Sequence, residues 1–408
     1  MDNILDTSGL YFNGDFVTQV KEILQYIRMS KEDVEQLQDL FDELQDIFER
    51  VWHGCQFEVF GSVVTGLALK NSDIDILCHL RPWLTQPRAI FVVQARKILN
   101  LYRHRFRNIL AITKAKVPIV KFYHIPTQRH CDISFSGPMA AHNSHLLEYY
   151  MMSDERVLQL ALIIKYWSKV HLFTGQNLMP NYCLTLLVIF YLQQKNILCP
   201  FIALQQKDDV RLVDNWNTAF TKITHKCDKN ENLYSLLGNF FKYYYNLNFD
   251  KCVISLYTGR LIEREKFIDV HNVPPEFELY SANVKSEVCQ PLRLDTYMCV
   301  QDPLNHSRNC AVAVHPKLAE RIIDLFKKAA ELYDKGPSDN FLRNLLHTQE
   351  SPVPTNKPIF RNDHIKTHGI QKRNNTKKNQ RSIERARNFK RKFNYNSNQH
   401  NQQITNNN

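Results

Sequence analysis

Asp73 and Asp75 are two carboxylates separated by one apolar residue, in a run (Asp73-Ile74-Asp75-Ile76-Leu77) that is typical of a β-strand. Side chains alternate along a strand, so both carboxylates lie on one face while Ile74 and Ile76 lie on the other. Two like charges this close are costly to desolvate unless a cation or hydrogen-bond donors neutralise them. Because hard oxygen ligands favour Mg2+ or Mn2+, the pair predicts a site for one of these metals.

An isolated Asp-x-Asp pair is weak evidence, because such pairs also occur at wet strand edges. Two neighbouring features strengthen the metal hypothesis. Upstream, Gly61 supplies a turn that a side chain would obstruct, and we expect Ser62 to open a helix whose backbone amides bind a phosphate. Downstream, Asp132 lies in a second β-like run, from which it can face the first pair across neighbouring strands.

The combination of Gly61-Ser62, Asp73-x-Asp75 and a later strand Asp132 resembles the DNA polymerase β-like nucleotidyltransferases. Within that superfamily, the segments GLALKNSDIDIL and AAHNSHLL resemble the terminal uridylyltransferases and non-canonical poly(A) polymerases, which add nucleotides to RNA 3′ ends. The likeness covers most of residues 15–330. It implies an α/β (α+β) fold, in which a catalytic domain with a mixed β-sheet and helices faces a mainly helical poly(A)-polymerase-associated domain across a cleft.

The resemblance also implies roles for the acidic residues. A 3′-hydroxyl attacks the α-phosphate of a nucleotide, pyrophosphate leaves, and two metal ions offset the charge that develops. We expect Asp73 and Asp75 to bridge both ions, and Asp132 to hold the ion that activates the RNA 3′-oxygen.

Five further residues match nucleotide contacts of the family. Lys165 and Lys169 share a helix face by their spacing, which alone fits a solvated face equally well, and the resemblance implies that they neutralise the triphosphate. Asn143, with Ser144 beside it, matches the residue that contacts the ribose 2′-hydroxyl. Tyr182 matches the aromatic residue that stacks on the base.

The choice of base depends on a loop that reads Asp302-Pro303-Leu304-Asn305-His306-Ser307-Arg308. Arg308 stands where uridylyltransferases commonly have His, and His306 lies two residues earlier. An arginine is bulky and always a donor, so it can occlude adenine while donating to a uracil carbonyl. Its presence fits relaxed selectivity equally well. We expect UTP as the substrate, with ATP as the alternative.

Apolar residues recur at helical spacing in residues 17–29 and 31–51, and in long helices after Asp132. Beyond Gly336 the chain is rich in Asn, Gln, Lys and Arg and too poor in apolar residues to fold. We therefore expect four parts: N-terminal helices that pack with the helical domain (1–50), the catalytic domain (51–150), the helical domain (151–335) and a disordered basic tail (336–408).

Most of the formal net charge of +11 lies in the predicted tail, where 14 Lys and Arg face 4 acids. Such a tail is expected to contact RNA phosphates without sequence preference, although a solubilising role explains it too. The run 372–392 also resembles a nuclear import signal. We expect a cytoplasmic protein, with a nuclear location left open.

The ten cysteines are scattered, form no C-x-x-C pair and mostly lie in apolar runs, which indicates reduced thiols and disfavours a zinc site. The longest apolar run (183–192) is too short to span a bilayer, and the N-terminus lacks the pattern of a signal peptide. We expect a soluble intracellular protein without a membrane partner.

Three functions follow from these observations. The first is a template-independent RNA uridylyltransferase that acts on single-stranded RNA 3′ ends and releases pyrophosphate. The second is a poly(A) polymerase of the same family, which differs only in base choice. The third is a non-catalytic RNA-binding protein with the same fold, against which stands the joint presence of three carboxylates, Gly61-Ser62 and two lysines. A sensor that makes oligonucleotides fits the AAHNS and second-domain segments less well.

Overall fold

A mixed five-stranded sheet carries the acidic residues. The computed structural model describes residue 5 and residues 7–206, 208–223 and 231–347. The strands of this sheet are β1 (Gln56–Phe60), β2 (Ile74–His79), β3 (Phe106–Ile112), β4 (Ile119–His124) and β5 (Arg129–Ser134). Their order is β1-β2-β5-β4-β3, and only β2 and β5 run parallel. The mixed sheet and the surrounding helices confirm the predicted fold class.

Strand register brings the acids together. Asp75 on β2 lies opposite Asp132 on β5, and Lys121 on β4 lies opposite Asp132 from the other side. Asp73 comes directly before β2. The alternate residues Ile74 and Ile76 are fully buried, as expected for a strand with one face against a core.

Four helices come before or between these strands in the sequence. They are α1 (Phe16–Ile27), α2 (Lys31–Glu35), α3 (Leu37–Glu49) and α4 (Arg88–Leu99). Helices α3 and α4 share a hydrophobic core with the buried strand residues, and Glu43 on α3 contacts the buried His124 of β4 at 3.0 Å. Helix α1 packs instead into the helical part of the chain. The residues predicted as one group of N-terminal helices (1–50) are thus shared between the two cores.

The rest of the described chain is mainly helical. Its helices are α5 (Pro138–Ser153), α6 (Glu155–Val170), α7 (Asn181–Gln194), α8 (Leu233–Asn246), α9 (Glu278–Lys285), α10 (Pro316–Lys335) and α11 (Ser338–Leu345). Short strands form a hairpin, β6 (Leu212–Val213) and β7 (Trp216–Asn217), and a small sheet, β8 (Cys252–Ser255), β9 (Arg260–Glu263) and β10 (Val300–Gln301). All described residues lie in one compact unit, so the predicted domain division stays a prediction.

The prediction that the disordered tail begins at residue 336 is wrong for residues 338–345. This segment is α11, whose Phe341, Leu342 and Leu345 are buried against the helical core. Burial of three apolar side chains outweighs the polar composition of the surrounding segment. The remaining tail, from residue 348 onward, lies outside the described residues.

Two expectations from the sequence, reduced thiols and no membrane-spanning segment, concern residues that the structure describes. The nine cysteines found there are free thiols, and eight of them are buried. Within the same ranges, no helix has the length and apolar character needed to cross a membrane.

Helix α11 supplies a test of this fold. Phe341 is 1% exposed and its ring lies 5.5 Å from that of Tyr234. Phe341→Ala leaves a cavity there, so we expect the free energy of unfolding to fall by about 3 kcal/mol. Denaturant unfolding of the full chain measures this, with Asn344→Ala, at an exposed position of the same helix, as the control. Equal stability of both variants would contradict the packing of α11.

Candidate active site

Three carboxylates lie together at the N-terminal end of β2. Burial, together with the neighbouring Asp132 and Asp73 carboxylates, raises the pKa of Asp75 to about 7. Burial also raises the pKa of Asp132. Both shifts oppose ionisation, so this cluster carries an electrostatic cost until a cation neutralises it.

Lys121 supplies part of that neutralising charge. Its Nζ lies 2.9 Å from Asp132 Oδ2 and 3.6 Å from Asp73 Oδ2. Burial is the largest single influence and works against the charged ammonium, but the hydrogen bonds and charges of Asp132 and Asp73 together outweigh it, so the pKa of Lys121 is raised. The sequence analysis missed this residue. The signal was its position in the β-like run before Asp132, where antiparallel pairing places it beside that carboxylate.

No group of three or more His, Cys, Asp or Glu side chains converges as a metal cage within the described ranges. In the acidic cluster, the Lys121 ammonium lies between Asp73 and Asp132 instead. The residues nevertheless fit a divalent ion. Asp132 Oδ1 is buried without a hydrogen-bond partner, and three carboxylates on one side of a sheet are the hard donors that Mg2+ or Mn2+ requires.

Gly61 lies against this cluster and cannot carry a side chain. Its φ is +74°, and a Cβ atom there would lie 2.4 Å from Asp75 Oδ2. Its N–H donates to Ser144 Oγ at 2.8 Å, and that hydroxyl donates to the Ala140 carbonyl. Ser144 therefore ties α5 to the Gly61 turn.

The expectation that Ser62 opens a helix is wrong. Residues 61–66 form consecutive turns, closed by Gly66 with a φ of +73°. A left-handed glycine at each end leaves too few residues between them for a helix. Any phosphate contact at Ser62 therefore comes from turn amides.

Lys165 on α6 contacts the chain directly after this turn. Its Nζ is buried and donates to the Leu67 carbonyl at 2.7 Å. Burial and the nearby Lys169 together lower the pKa of Lys165 to about 7, although Asp75 opposes both effects. Lys169 is partly exposed one helical turn further along α6. An added anionic group beside Lys165 would restore its positive charge.

A second group of predicted residues meets at Asp302, which is fully buried. Its Oδ2 accepts from Asn143 Nδ2, the Tyr182 hydroxyl and Arg308 Nη1, each at 3.3 Å. Its Oδ1 accepts two backbone N–H groups at 3.0 Å, from residues 304 and 305. Asp302 is a second residue whose role the sequence analysis did not assign. Its signal was an acid within the apolar run 298–304.

Some polar atoms around Asp302 remain available to bind a ligand. Asn143 is 3% exposed and its Oδ1 lacks a hydrogen-bond partner, so a hydroxyl donor fits there. The Arg308 guanidinium lies over the Tyr182 ring, 5.5 Å from its centroid, and its side chain is 47% exposed. Arg308 thus keeps part of its side chain accessible beside the Tyr182 ring.

His306 is not part of this group. It is buried among the rings of Tyr257, Phe277 and Trp216, and its Nε2 contacts the Pro303 carbonyl at 3.2 Å. Burial lowers its pKa to about 4. Between the two candidate residues in this loop, only Arg308 lies beside Tyr182.

Helix α5 joins the two groups. Ser144 contacts the Gly61 turn beside the carboxylates, and the adjacent Asn143 contacts Asp302 beside Tyr182 and Arg308. Two consecutive residues of α5 thus connect the turn beside the acidic cluster with the group around Asp302.

The chain is similar to known proteins in both sequence and fold. The family described as "Poly(A) RNA polymerase, mitochondrial-like, central palm domain" matches residues 16–152. Poly(A) RNA polymerase cid11 of Schizosaccharomyces pombe is 24% identical over 337 residues, which are 78% of this chain and 63% of that protein. Terminal uridylyltransferase cid1 of the same species is 24% identical over 363 residues, covering 83% of this chain and 84% of that protein.

The chain spans less than two thirds of several curated relatives, and only 12% of human Terminal uridylyltransferase 7, to which 186 residues are 31% identical. Among solved structures, mtPAP in complex with UTP has a TM-score of 0.70 at 19% identity, covering 84% of this chain and 74% of that one. This structural likeness shows the fold.

Fold and family match together agree with the resemblance to the DNA polymerase β-like nucleotidyltransferases. Within that class, the resemblance to the terminal uridylyltransferase and non-canonical poly(A) polymerase family, first indicated by the sequence motifs, is confirmed.

The raised pKa of Asp75 predicts a pH-dependent cost in stability. Because its pKa in the folded protein, about 7, exceeds the usual 3.8, the native state holds an extra proton between these values. Metal-free stability therefore falls as pH rises through this window, and the full cost remains above pH 7. Asp75→Asn removes the cost, so we expect its melting temperature at pH 8 to exceed that of wild type by about 5 °C.

Thermal unfolding at pH 8 and pH 5 measures this effect, with the exposed Asp46→Asn as the control. The difference should shrink at pH 5. Adding Mg2+ or Mn2+ at pH 8 should stabilise wild type and Asp46→Asn but not Asp75→Asn. A lower melting temperature for Asp75→Asn at pH 8 would contradict this account.

Proposed function

We propose that this chain is a template-independent RNA 3′-terminal nucleotidyltransferase that adds uridylates from UTP and releases pyrophosphate. The observation that carries the proposal is the pair of contacts made by α5: Ser144 binds the Gly61 turn beside the carboxylates, and Asn143 binds Asp302, which also holds Tyr182 and Arg308. A nucleoside triphosphate fits this site with its phosphates at the acidic, lysine-lined end and its base at the other. Relatives that are named uridylyltransferases and poly(A) polymerases support the reaction class.

Asp73, Asp75 and Asp132 would hold the divalent ions. When bound, these ions supply charge neutralisation and a more acidic 3′-hydroxyl. In the reaction, the 3′-oxygen loses its proton and forms a bond to the α-phosphorus, and the bond between the α- and β-phosphates breaks to release pyrophosphate. Lys121 supports this geometry by its hydrogen bond to Asp132.

Lys165 and Lys169 would neutralise the triphosphate. Lys165 is held by the Leu67 carbonyl directly after the Gly61 turn, so its charge is fixed near the predicted phosphate position. Negative charge beside it raises its pKa from about 7 towards the ordinary value, so the bound nucleotide would itself keep Lys165 protonated.

The far end of the site would choose the sugar and the base. Asn143 Oδ1 is a buried, unpartnered acceptor that suits a ribose 2′-hydroxyl and favours NTP over dNTP. Arg308 is held by Asp302 and by the Tyr182 ring, so its remaining donors face a base stacked on that ring. Uracil offers carbonyl acceptors to such donors, whereas the amino group of adenine meets them as another donor.

Poly(A) polymerase activity with ATP is the second candidate, because curated relatives include enzymes of that name. The basic segment predicted to contact RNA phosphates lies outside the described residues beyond 347, and that contact stays a prediction. The expected cytoplasmic location stays a prediction as well.

The reaction is tested by incubating the purified full chain with labelled single-stranded RNA, Mg2+ or Mn2+, and each NTP separately. Stepwise extension with UTP is the expected result. Extension chiefly with ATP would move the protein to the second candidate. Asp73→Ala and Asp75→Ala should each reduce extension by at least about a thousandfold, since each removes a ligand from the reacting centre. No extension by wild type with either metal would favour the non-catalytic RNA-binding alternative.

Arg308 supplies a separate prediction about base choice. Arg308→Ala removes donors from the base pocket and opens space beside Tyr182. We expect the ratio of kcat/KM for UTP to kcat/KM for ATP to fall about tenfold, the effect of one lost polar contact. Single-nucleotide addition kinetics with both NTPs measure the ratio, and Arg308→His tests whether a smaller donor preserves it. An unchanged ratio in both variants would exclude Arg308 from base selection.

A further inference from the structure

The open face of the five-stranded sheet extends the site beyond Asp132. Strand pairing places Arg107 opposite Tyr123, and Tyr123 opposite His130. Paired residues on neighbouring strands point to the same face. Tyr123 and Lys121 are two residues apart on β4, so they also share a face, and Lys121 lies opposite Asp132. Arg107, Tyr123 and His130 thus form a row directly next to the carboxylates.

Within the part of the chain that the structure describes, this face is more exposed than the opposite one. Val120, Phe122, Cys131 and Ile133 point to the opposite face, where they are at most 1% exposed and share a core with α3 and α4. On the open face, Arg107 and His130 are exposed, and Tyr123 is partly exposed. Leu110, which pairs with Lys121, is 56% exposed. The row is therefore accessible to a ligand.

The chemistry of the row suits a single-stranded nucleic acid. The rings of Tyr123 and His130 lie 5.0 Å apart and inclined at 60°, which presents an aromatic surface. Arg107 adds a cation beside it, and Lys121 adds a second cation at the carboxylates. Bases of any sequence stack on aromatic side chains, while cations pair with phosphates. The open-face positions of β3, β4 and β5 carry no acid other than Asp132.

The position of the row next to Asp132 indicates which ligand it binds. The Gly61 turn, α5 and Lys165 crowd Asp75 on its β1 side, where the triphosphate is expected. The acceptor 3′-oxygen must therefore approach Asp132 from the β4 side. Two residues along a strand cover about 7 Å, so Tyr123 lies about the length of one nucleotide from the Lys121–Asp132 pair.

We propose that Arg107, Tyr123 and His130 form an acceptor platform that binds the 3′-terminal nucleotides of single-stranded RNA beside Asp132. This inference rests on the proposed function, because it identifies the second substrate site of the same reaction. Tyr123 and His130 stack on bases, and Arg107 pairs with a phosphate.

The platform is tested first by binding, without metal or NTP. Fluorescence anisotropy with an end-labelled, unstructured RNA oligonucleotide gives Kd for the full chain and for each variant. Tyr123→Ala and His130→Ala should each raise Kd about tenfold, whereas Tyr123→Phe, which keeps the stacking ring, should stay within about twofold of wild type. Arg107→Ala should weaken binding and lower the salt dependence of log Kd by about one phosphate contact. Arg96→Ala, at an exposed position of α4 on the covered side, is the matched control.

Extension kinetics then give the second readout. In the platform variants the KM for RNA should rise, while the KM for NTP stays at the wild-type value. Wild-type Kd and wild-type RNA KM in all platform variants would overturn the proposal, as would a wild-type chain that binds no RNA. If the wild type extends no RNA but the platform variants still lose RNA binding, the proposed function fails and the platform stands. An equal loss of binding in Arg96→Ala would also overturn it, since the effect would then be one of overall charge.

Discussion

The repulsion among three carboxylates on neighbouring strands is the constraint on which the rest of the site depends. Parallel pairing of β2 with β5 places Asp75 opposite Asp132, and burial makes ionisation of both costly. A cation on the next strand partly neutralises this charge, because Lys121 forms an ion pair with Asp132. The cluster also restricts the neighbouring turn, because only a residue without a side chain, Gly61, can approach Asp75 so closely. The acidic centre thus determines what its neighbours on β4 and in the Gly61 turn can be.

A second buried carboxylate, Asp302, lies at the other end of the site, and its charge is stabilised differently. Asp302 is fully buried, yet its two oxygens accept hydrogen bonds from two backbone amides and from three polar side chains. Such a satisfied carboxylate fixes the positions of its donors. The acidic cluster is incompletely neutralised and suited to added cations, whereas Asp302 is saturated and suited to holding Asn143, Tyr182 and Arg308 still. One residue type serves two purposes through its surroundings.

The sequence predicted what depends on local pattern and on family motifs. Alternation around Asp73 and Asp75 indicated the strand and its acidic face, and the helical spacing indicated most helices. What it did not predict depends on distant contacts. Asp302 meets its partner Asn143 across 159 residues, and the role of Lys121 follows only from strand register. The polar setting of α11 concealed three apolar residues whose partners lie elsewhere in the chain. The turn at Ser62 was missed because a second left-handed glycine, Gly66, cut the expected helix short.

Helix α5 contacts the two ends of the site through consecutive residues, Ser144 at the Gly61 turn and Asn143 at Asp302. A displacement of this helix therefore moves both ends at once. Under the proposed function, an ill-fitting sugar that displaced Asn143 would by the same movement shift the turn that lies against Asp75. Discrimination between sugars would then appear as slower turnover rather than as weaker binding, and fidelity and speed would be mechanically inseparable in this protein.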